Sequence, residues 1–290
     1  MSTANVLYDA PGPRARRLSL VLSVVLGAAV IGLLAWFAWR LGQPRTTVNG
    51  AVLTGLWDPG RWDIFQDPAV WKGLLWRGLV LGTLRAAALA AVLALVLGVI
   101  LSFLRSARSV WVRVPTTILL EFFRGMPVLL MMLFILLAMS TGGYTAVVLA
   151  LGVYNGAIIG EALRAGIGSL PKGQREAGLS LGLTALTTKL IIEFPQAFRQ
   201  MLPIIVAQLV VLLKDTSLGY VVAYPEILRV SYQMKDYYGS TTYSFSIFLV
   251  VLVAYLLVNS ALSALARWLA KRSGPKAQAE LLVQDAAAVD

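Results

Sequence analysis

The sequence has no cysteine and no histidine. Without cysteine there is no disulfide framework, no thiol nucleophile and no thiolate-bound metal. Without histidine there is no Ser-His-Asp catalysis, no HExxH zinc helix and no haem held by imidazole. No Gly-Lys dipeptide occurs either, which removes the P-loop route to ATP. Charge is scarce, at 13% of residues, where a typical soluble domain has about 25%. What is abundant is apolar: 58% of the 290 residues are hydrophobic, and the mean hydropathy is +0.77. This is a membrane-protein composition, and it excludes intrinsic disorder for most of the chain. The net charge of +11 does not point to nucleic acid, because the basic residues flank apolar runs rather than forming one patch. It fits cytoplasmic loops and membrane lipid of anionic character.

A membrane-spanning helix needs about 20 apolar residues. Six stretches qualify: 18–40, 74–104, 118–139, 144–166, 201–223 and 243–268. The first follows Arg14, Arg16 and Arg17, is too long for a signal-peptide core and lacks an Ala-x-Ala site, so it reads as an uncleaved anchor. The expected organisation is an N-terminal tail (1–17), a transmembrane helix (18–40), an external loop rich in Pro and Asp (41–73), a membrane domain (74–269) containing a polar loop (167–200), and a C-terminal tail (270–290). The expected fold is all-α with six transmembrane helices. Six spans place both termini on one side. Fourteen Lys and Arg would flank the spans on that side against seven on the other, so both termini are expected in the cytoplasm. All eight tryptophans fall at span ends or in flanking loops, where an aromatic belt places them.

Seven ionisable residues fall inside or at the edge of these spans: Arg85, Glu121, Arg124, Glu161, Arg164, Lys214 and Asp215. A charge at a helix centre costs about 2.5–3.5 kcal/mol on insertion scales, so each needs a partner, water or a role. Glu121 and Arg124 are three residues apart, as are Glu161 and Arg164, which puts each pair on one helix face. They read either as structural ion pairs or as a gate near the cytoplasmic ends of the third and fourth spans. The run Lys214-Asp215-Thr216-Ser217 is expected about 20 Å into the fifth span, at 1.5 Å per residue. It reads either as substrate contact or as interhelix hydrogen bonding.

The polar loop carries Gly173-Gln174-Arg175-Glu176-Ala177-Gly178-Leu179-Ser180-Leu181-Gly182. Pro171 suits a helix start. Gly178 and Gly182, four apart, suggest a helix face with almost no side chain, beside the charge of Glu176. Pro195 and Pro203 are expected to break the chain beyond it. The stretch reads as a short surface helix, either docking into a groove of another protein or acting as an ordinary connector.

At this loop the sequence resembles the EAA motif of bacterial ABC-importer permeases. Glu176-Ala177-Gly178, then Gly182, then Ile192-Glu193-Phe194-Pro195 keep the family spacing, with Gly178 for the second Ala, Phe194 for Leu, and an unusual charge at Glu193. Glu121-Phe122-Phe123-Arg124-Gly125-Met126-Pro127 is similar to the Glu-x-x-Arg-Gly-Thr-Pro segment of polar amino-acid permeases. Glu161-Ala162-Leu163-Arg164-Ala165-Gly166 and Leu213-Lys214-Asp215-Thr216-Ser217-Leu218 match two further hallmarks. The four motifs cover roughly residues 77–268. The opening Val6–Pro13 segment and the added first span look like actinobacterial glutamate permease subunits.

The resemblance implies a type I importer core of five helices plus one N-terminal helix. It implies a second permease, identical or homologous, a dimer of ABC ATPase subunits, and an extracytoplasmic binding protein that delivers the amino acid. The chain would be no enzyme and would bind no cofactor, with ATP and magnesium on the partner ATPase. The coupling residues it implies are Glu176, Ala177, Gly178, Gly182 and Pro195. Candidates for the path or gate are Lys214, Asp215, Thr216, Ser217, Glu121, Arg124, Glu161 and Arg164. Glutamate is the first substrate expected, with aspartate or glutamine next. The rivals are an ion-gradient-driven secondary transporter and a membrane-embedded enzyme built on scattered carboxylates.

Overall fold

The computed structural model describes residues 12–273 apart from 47, 49, 51, 239 and 240; residues 1–11 and 274–290, with most of the Val6–Pro13 segment and of the C-terminal tail, lie outside them. The chain forms two units, one up to Gln66 and one from Asp67.

In the first unit, α1 (Pro13–Leu41) begins at a proline whose fixed φ suits a first helical turn. Arg14, Arg16 and Arg17 therefore belong to the helix and not to a tail. None of its 29 residues is buried, and beyond the basic first turn apolar side chains occupy every face. The loop beyond is folded. Strands β1 (Arg45–Thr46) and β2 (Val52–Leu53) pair antiparallel. Trp57 Nε1 donates to the Ala38 carbonyl over 2.7 Å, and Trp57 and Trp62 stack with centroids 6.4 Å apart.

The second unit opens with α2 (Pro68–Trp71), capped by the Asp67 carboxylate, which accepts from Ala69 N at 2.8 Å. It runs without a break through a π-helical stretch (Lys72–Leu84) into α3 (Arg85–Arg105). The rod Pro68–Arg105 has 38 residues, well beyond the about 20 that cross one bilayer core. The last residues of the expected external loop thus belong to this rod. The π winding has a consequence in the sequence. An i→i+5 ladder turns roughly once per 4.4 residues, so Gly73, Gly78 and Gly82 share a face. All three are buried, and a Cβ on Gly78 or Gly82 would meet Ile227 Cα at 2.9 Å or the Pro225 carbonyl at 2.5 Å.

The core is the packing of α3 on α6 (Gly143–Gly168). In lipid there is no hydrophobic force between helices, so close contact needs small side chains. Helix α3 buries Ala86, Ala87, Ala90, Ala94 and Gly98. Helix α6 presents Gly152, Gly156 and Gly160, one per turn, and the nearest side chains to them are Leu93, Leu97 and Leu101. Met132 and Ile135 from α5 (Val128–Ala138), and Ile205 and Leu212 from α9 (Phe194–Asp215), close over this pair.

The third expected span is not one helix. Helix α4 (Val110–Gly125) and α5 (Val128–Ala138) meet at a 103° bend. Pro127 pushes Met126 into the extended region, φ −83° and ψ 128°, and so ends α4. The polar loop folds as α7 (Lys172–Ser180) and α8 (Ala185–Thr188), and then passes through a π turn (Lys189–Glu193) into α9 (Phe194–Asp215). The expected breaks at Pro195 and Pro203 do not occur. Pro195 occupies the first turn, where no N–H partner is needed, and Pro203 is accommodated inside α9. The fifth span therefore begins well before residue 201, as a 36-residue rod from Ala185 to Tyr220. Helix α10 (Ile227–Tyr237) forms where only a loop was expected, and α11 (Ser244–Ser273) follows. Among the described residues five helices are long and apolar enough to cross a membrane, or six when the bent α4–α5 pair is counted as one span. This is the expected all-α membrane architecture.

Gly156→Val is expected to force α3 and α6 apart, because its Cβ would lie 2.9 Å from Leu97 Cβ. Overpacking of this kind costs about 1–3 kcal/mol. The thermal unfolding midpoint in detergent should fall accordingly, and an unchanged midpoint would show that the helices can separate freely.

Candidate functional site

The two Glu-x-x-Arg pairs form as expected but do not stand alone. Arg164 binds Glu161 at 2.7 and 2.9 Å, and Arg124 contacts Glu121 at 3.3 Å. Arg105, the last residue of α3, joins them: its guanidinium reaches Glu161 at 2.6 Å and Glu121 at 3.0 Å. The result is one chain of five charges, Arg124–Glu121–Arg105–Glu161–Arg164. Arg105 and Glu161 are the sheltered members, with 16% and 21% of their side chains exposed, and Glu121 is 53% exposed. Glu121 thus stays beside the end of α3 although it lies sixteen residues further on. Helix α4 therefore lies across this end of the bundle, and α5 enters it. Arg105 falls one residue past the expected span 74–104, so hydropathy alone places it in a loop.

Helix α7 lies at the same end. Gly178 is buried, and a Cβ there would meet Thr188 Cγ2 at 2.6 Å and Ile192 Cδ1 at 2.9 Å. The bare face expected to meet a partner is instead packed against α8 and the turn that follows. Gly182 is not on the helix: it has φ +76° and ends α7. Gly182 N bonds the Leu179 carbonyl and Leu183 N the Gly178 carbonyl, at 3.0 and 3.2 Å, the paired bonds of a Schellman cap. Glu176 and Ala177 point outward and are exposed, and Pro195 is exposed in the first turn of α9. Gln196 Nε2 donates to Gln174 Oε1 at 3.2 Å, tying α9 to α7.

Lys214, Asp215, Thr216 and Ser217 sit at the opposite end. They close α9, and the turn after them packs Gly219 against Val147, near the start of α6. Starting at Phe194, α9 carries them about 30 Å from its beginning, deeper than the sequence suggested. Lys214 is exposed, Asp215 half-buried and Thr216 buried. The Thr216 and Ser217 hydroxyls donate to the Leu213 and Lys214 carbonyls at 2.7 and 2.9 Å, so they serve the helix end. These four residues are not brought together with the five-charge chain. Between the two levels, buried Asn155 of α6 donates to the Leu151 carbonyl at 2.8 Å and accepts from Gln208 Nε2 of α9 at 2.7 Å.

At this far end lies a polar knot with no sequence signal beyond a loop carboxylate. Glu226, fully buried, caps α10 by accepting from Leu228 N and Arg229 N at 2.8 and 2.7 Å. It also accepts from the Tyr255 hydroxyl of α11 at 3.0 Å. Tyr224 donates to the Gly82 carbonyl at 2.9 Å, and Ile227 N to Thr83 Oγ1 at 3.3 Å. Burial pushes the Glu226 carboxyl up to about 6, against the lowering effect of the bonds it accepts. A cleft of about 760 Å³ beside the knot is lined by Arg77, Arg85, Tyr224 and Tyr238, with Asp67 at its edge. Arg85 stacks over the Tyr144 ring at 4.5 Å. Among the described residues Arg77 and Arg85 make no ion pair.

Two outcomes follow from these geometries. Arg105→Gln should destabilise the protein by about 1–3 kcal/mol, because Glu161 loses a partly buried charged partner. Arg124→Gln, on the exposed limb, should cost under about 1 kcal/mol. Equal losses in denaturation would contradict the bridging role of Arg105. For Glu226, a carboxyl whose pKa is raised on folding stabilises the fold below the unfolded value of 4.5, and that contribution is lost as pH rises through about 6. Relative to Glu226→Gln, the native chain should lose about 2 kcal/mol across that window, at 1.36 kcal/mol per pH unit. Unfolding midpoints measured in parallel from pH 4 to 8 check this, and a constant difference would refute it.

Residues 94–274 match the family of binding-protein-dependent transport system inner membrane components. The chain is 37% identical over 220 residues to the glutamate transport system permease protein GluD of Corynebacterium glutamicum, covering 73% of this chain and 79% of that protein. It is 36% identical over 203 residues to the probable glutamine ABC transporter permease protein GlnP of Bacillus subtilis, covering 68% and 93%. Among solved structures, an amino acid ABC transporter with histidines aligns with a TM-score of 0.62 at 25% identity, over 70% of this chain and 96% of that one. The MetNI methionine ABC transporter, inward facing, aligns at 0.50 and 18% identity over 73% and 98%, a likeness of fold. The chain is a multi-pass protein of the bacterial plasma membrane and a transport subunit, not itself an enzyme. It belongs to the family of binding-protein-dependent transport system inner membrane components, as a permease subunit of the type I ABC importers of polar amino acids.

Proposed function

We propose that the chain forms part of the translocation path of an ATP-driven glutamate importer and that α7 is its contact with the ATPase. The observation that carries the coupling role is the mounting of α7. Gly178 is seated on Thr188 and Ile192, so Glu176 and Ala177 are exposed on a braced helix. Both termini and α7 then lie in the cytoplasm, in keeping with the excess of Lys and Arg on that side. An ATPase dimer holding ATP and magnesium sits below, a second permease completes the path, and an extracytoplasmic binding protein delivers the amino acid. Gly182 and Pro195 act by stopping α7 and starting α9. The five-charge chain forms the cytoplasmic gate, and the Lys214–Ser217 turn lies at the outer end of the path.

Glutamate is favoured by the relative from Corynebacterium glutamicum and by charge. The outer cleft sets Arg77 and Arg85 against Asp67 alone, which attracts an acidic amino acid. Cells lacking the chain should lose uptake of labelled glutamate, with unlabelled aspartate and glutamine competing less well than glutamate. Loss of glutamine uptake with glutamate uptake intact would reassign the substrate. Glu176→Lys should abolish uptake and substrate-stimulated ATP hydrolysis with the amount in the membrane unchanged. Normal uptake by that variant would sink the coupling role.

A further inference from the structure

A second cleft, of about 930 Å³, opens at the α7 end between the last turns of α3 and α6 and the α7–α8 segment. Its charge is one-sided. Arg105 and Arg164 are taken up by Glu161, but Arg108, Lys172, Arg175 and Lys189 also line it and make no ion pair among the described residues. Glu176 and Glu193 are the carboxylates on its wall. Lys189 lies over the Phe103 ring at 5.3 Å, with the Glu193 carboxylate near enough to act on its charge. The rest of the wall is apolar. Phe103 and Ile167 lie within, and Leu179 and Leu186 stand at the rim with 42% and 62% of their surface exposed.

That combination selects a class of ligand. Four cations outside the ion-pair network attract a phosphate or another compact anion. A soluble anion has no use for exposed leucines, which cost free energy in water. An anionic phospholipid satisfies both, with its phosphate among the cations and its glycerol and upper acyl carbons against the leucines. The cleft also lies where membrane-spanning helices end, at headgroup depth, where basic pockets between helices collect acidic lipid. We propose that this cleft binds the headgroup of an anionic phospholipid, wedged between α7 and the ends of α3 and α6.

The test uses the full-length chain, purified in mild detergent with whatever subunits stay bound. Native mass spectrometry follows titration with phosphatidylglycerol or with phosphatidylcholine of the same acyl chains. Phosphatidylglycerol should bind saturably and about tenfold more tightly or better. Arg108→Gln combined with Lys172→Gln should remove that preference while leaving the unfolding midpoint in zwitterionic detergent unchanged. Excess inorganic phosphate should displace little of the lipid. Equal binding of the two lipids by the unmodified chain would overturn the proposal, and this comparison needs no variant to fold. Complete displacement by inorganic phosphate would make the cleft a soluble-anion site. Lipid binding only after the accompanying subunits are stripped away would make it a protein interface. Either result would also refute the lipid site, and neither bears on whether glutamate is the substrate.

Discussion

The distance between α3 and α6 governs the rest of the membrane unit. Three glycines on α6 each receive a leucine from α3, Gly152 under Leu93, Gly156 under Leu97 and Gly160 under Leu101. The step is four residues on both helices, so the register is fixed over three turns. Continuing by one step brings Arg105 of α3 opposite Arg164 of α6, two like charges. Glu161 lies between them and bonds both, at 2.6 and 2.7 Å. The charge network is therefore the fourth rung of an apolar ladder. The carboxylate is needed because the packing register leaves two guanidinium groups side by side at a membrane end. Glu121 then brings α4 to the same rung.

The far end uses the same device with different winding. Gly73, Gly78 and Gly82 admit α10 and its preceding loop against the wide π stretch. The backbone groups exposed there are met by Tyr224, Thr83 and Glu226. Close packing comes first in both places, and polar groups satisfy what it leaves over. Buried polar groups without partners would cost more than the contacts return.

Much of this was legible in the sequence. Span number, the two Glu-x-x-Arg pairs and the presence of a helix at Glu176 follow from hydropathy, spacing and resemblance. The third span was drawn straight because Gly125-Met126-Pro127 lies inside an apolar run, and hydropathy does not register a bend. Pro195 and Pro203 were read as breaks because proline signals depend on position within a turn, and the start of α9 was misplaced. Gly178 and Gly182 have the same spacing as a packing face, yet one packs and the other caps. Only backbone geometry, φ +76° at Gly182, separates the two uses. Arg105 and Glu226 escaped notice because each looks like an ordinary loop charge until distant segments meet it.

The arrangement of α7, α9 and α6 limits how force can travel in the proposed cycle. Helix α7 is seated on Thr188 and Ile192 and tied by Gln174 to Gln196. Both contacts lie on the Ala185–Tyr220 rod, which continues through the π turn, Pro195 and Pro203 to the Lys214–Ser217 turn. A displacement of α7 must therefore appear at the other end of that rod. Sliding of the rod along α6 is opposed by the part-buried Gln208–Asn155 hydrogen bond, which is bounded by apolar packing. Breaking it there leaves two amides unpaired, at about 1–3 kcal/mol each. Tilting about it leaves the bond intact and moves the two ends in opposite directions. Held at Gln208, about two-thirds of the way from Ala185 to Tyr220, the rod can tilt so that both ends move, as alternating access requires of an element that touches both mouths of a path. The geometry thus favours rocking of α9 over piston motion, with Asn155 and Gln208 as the pivot.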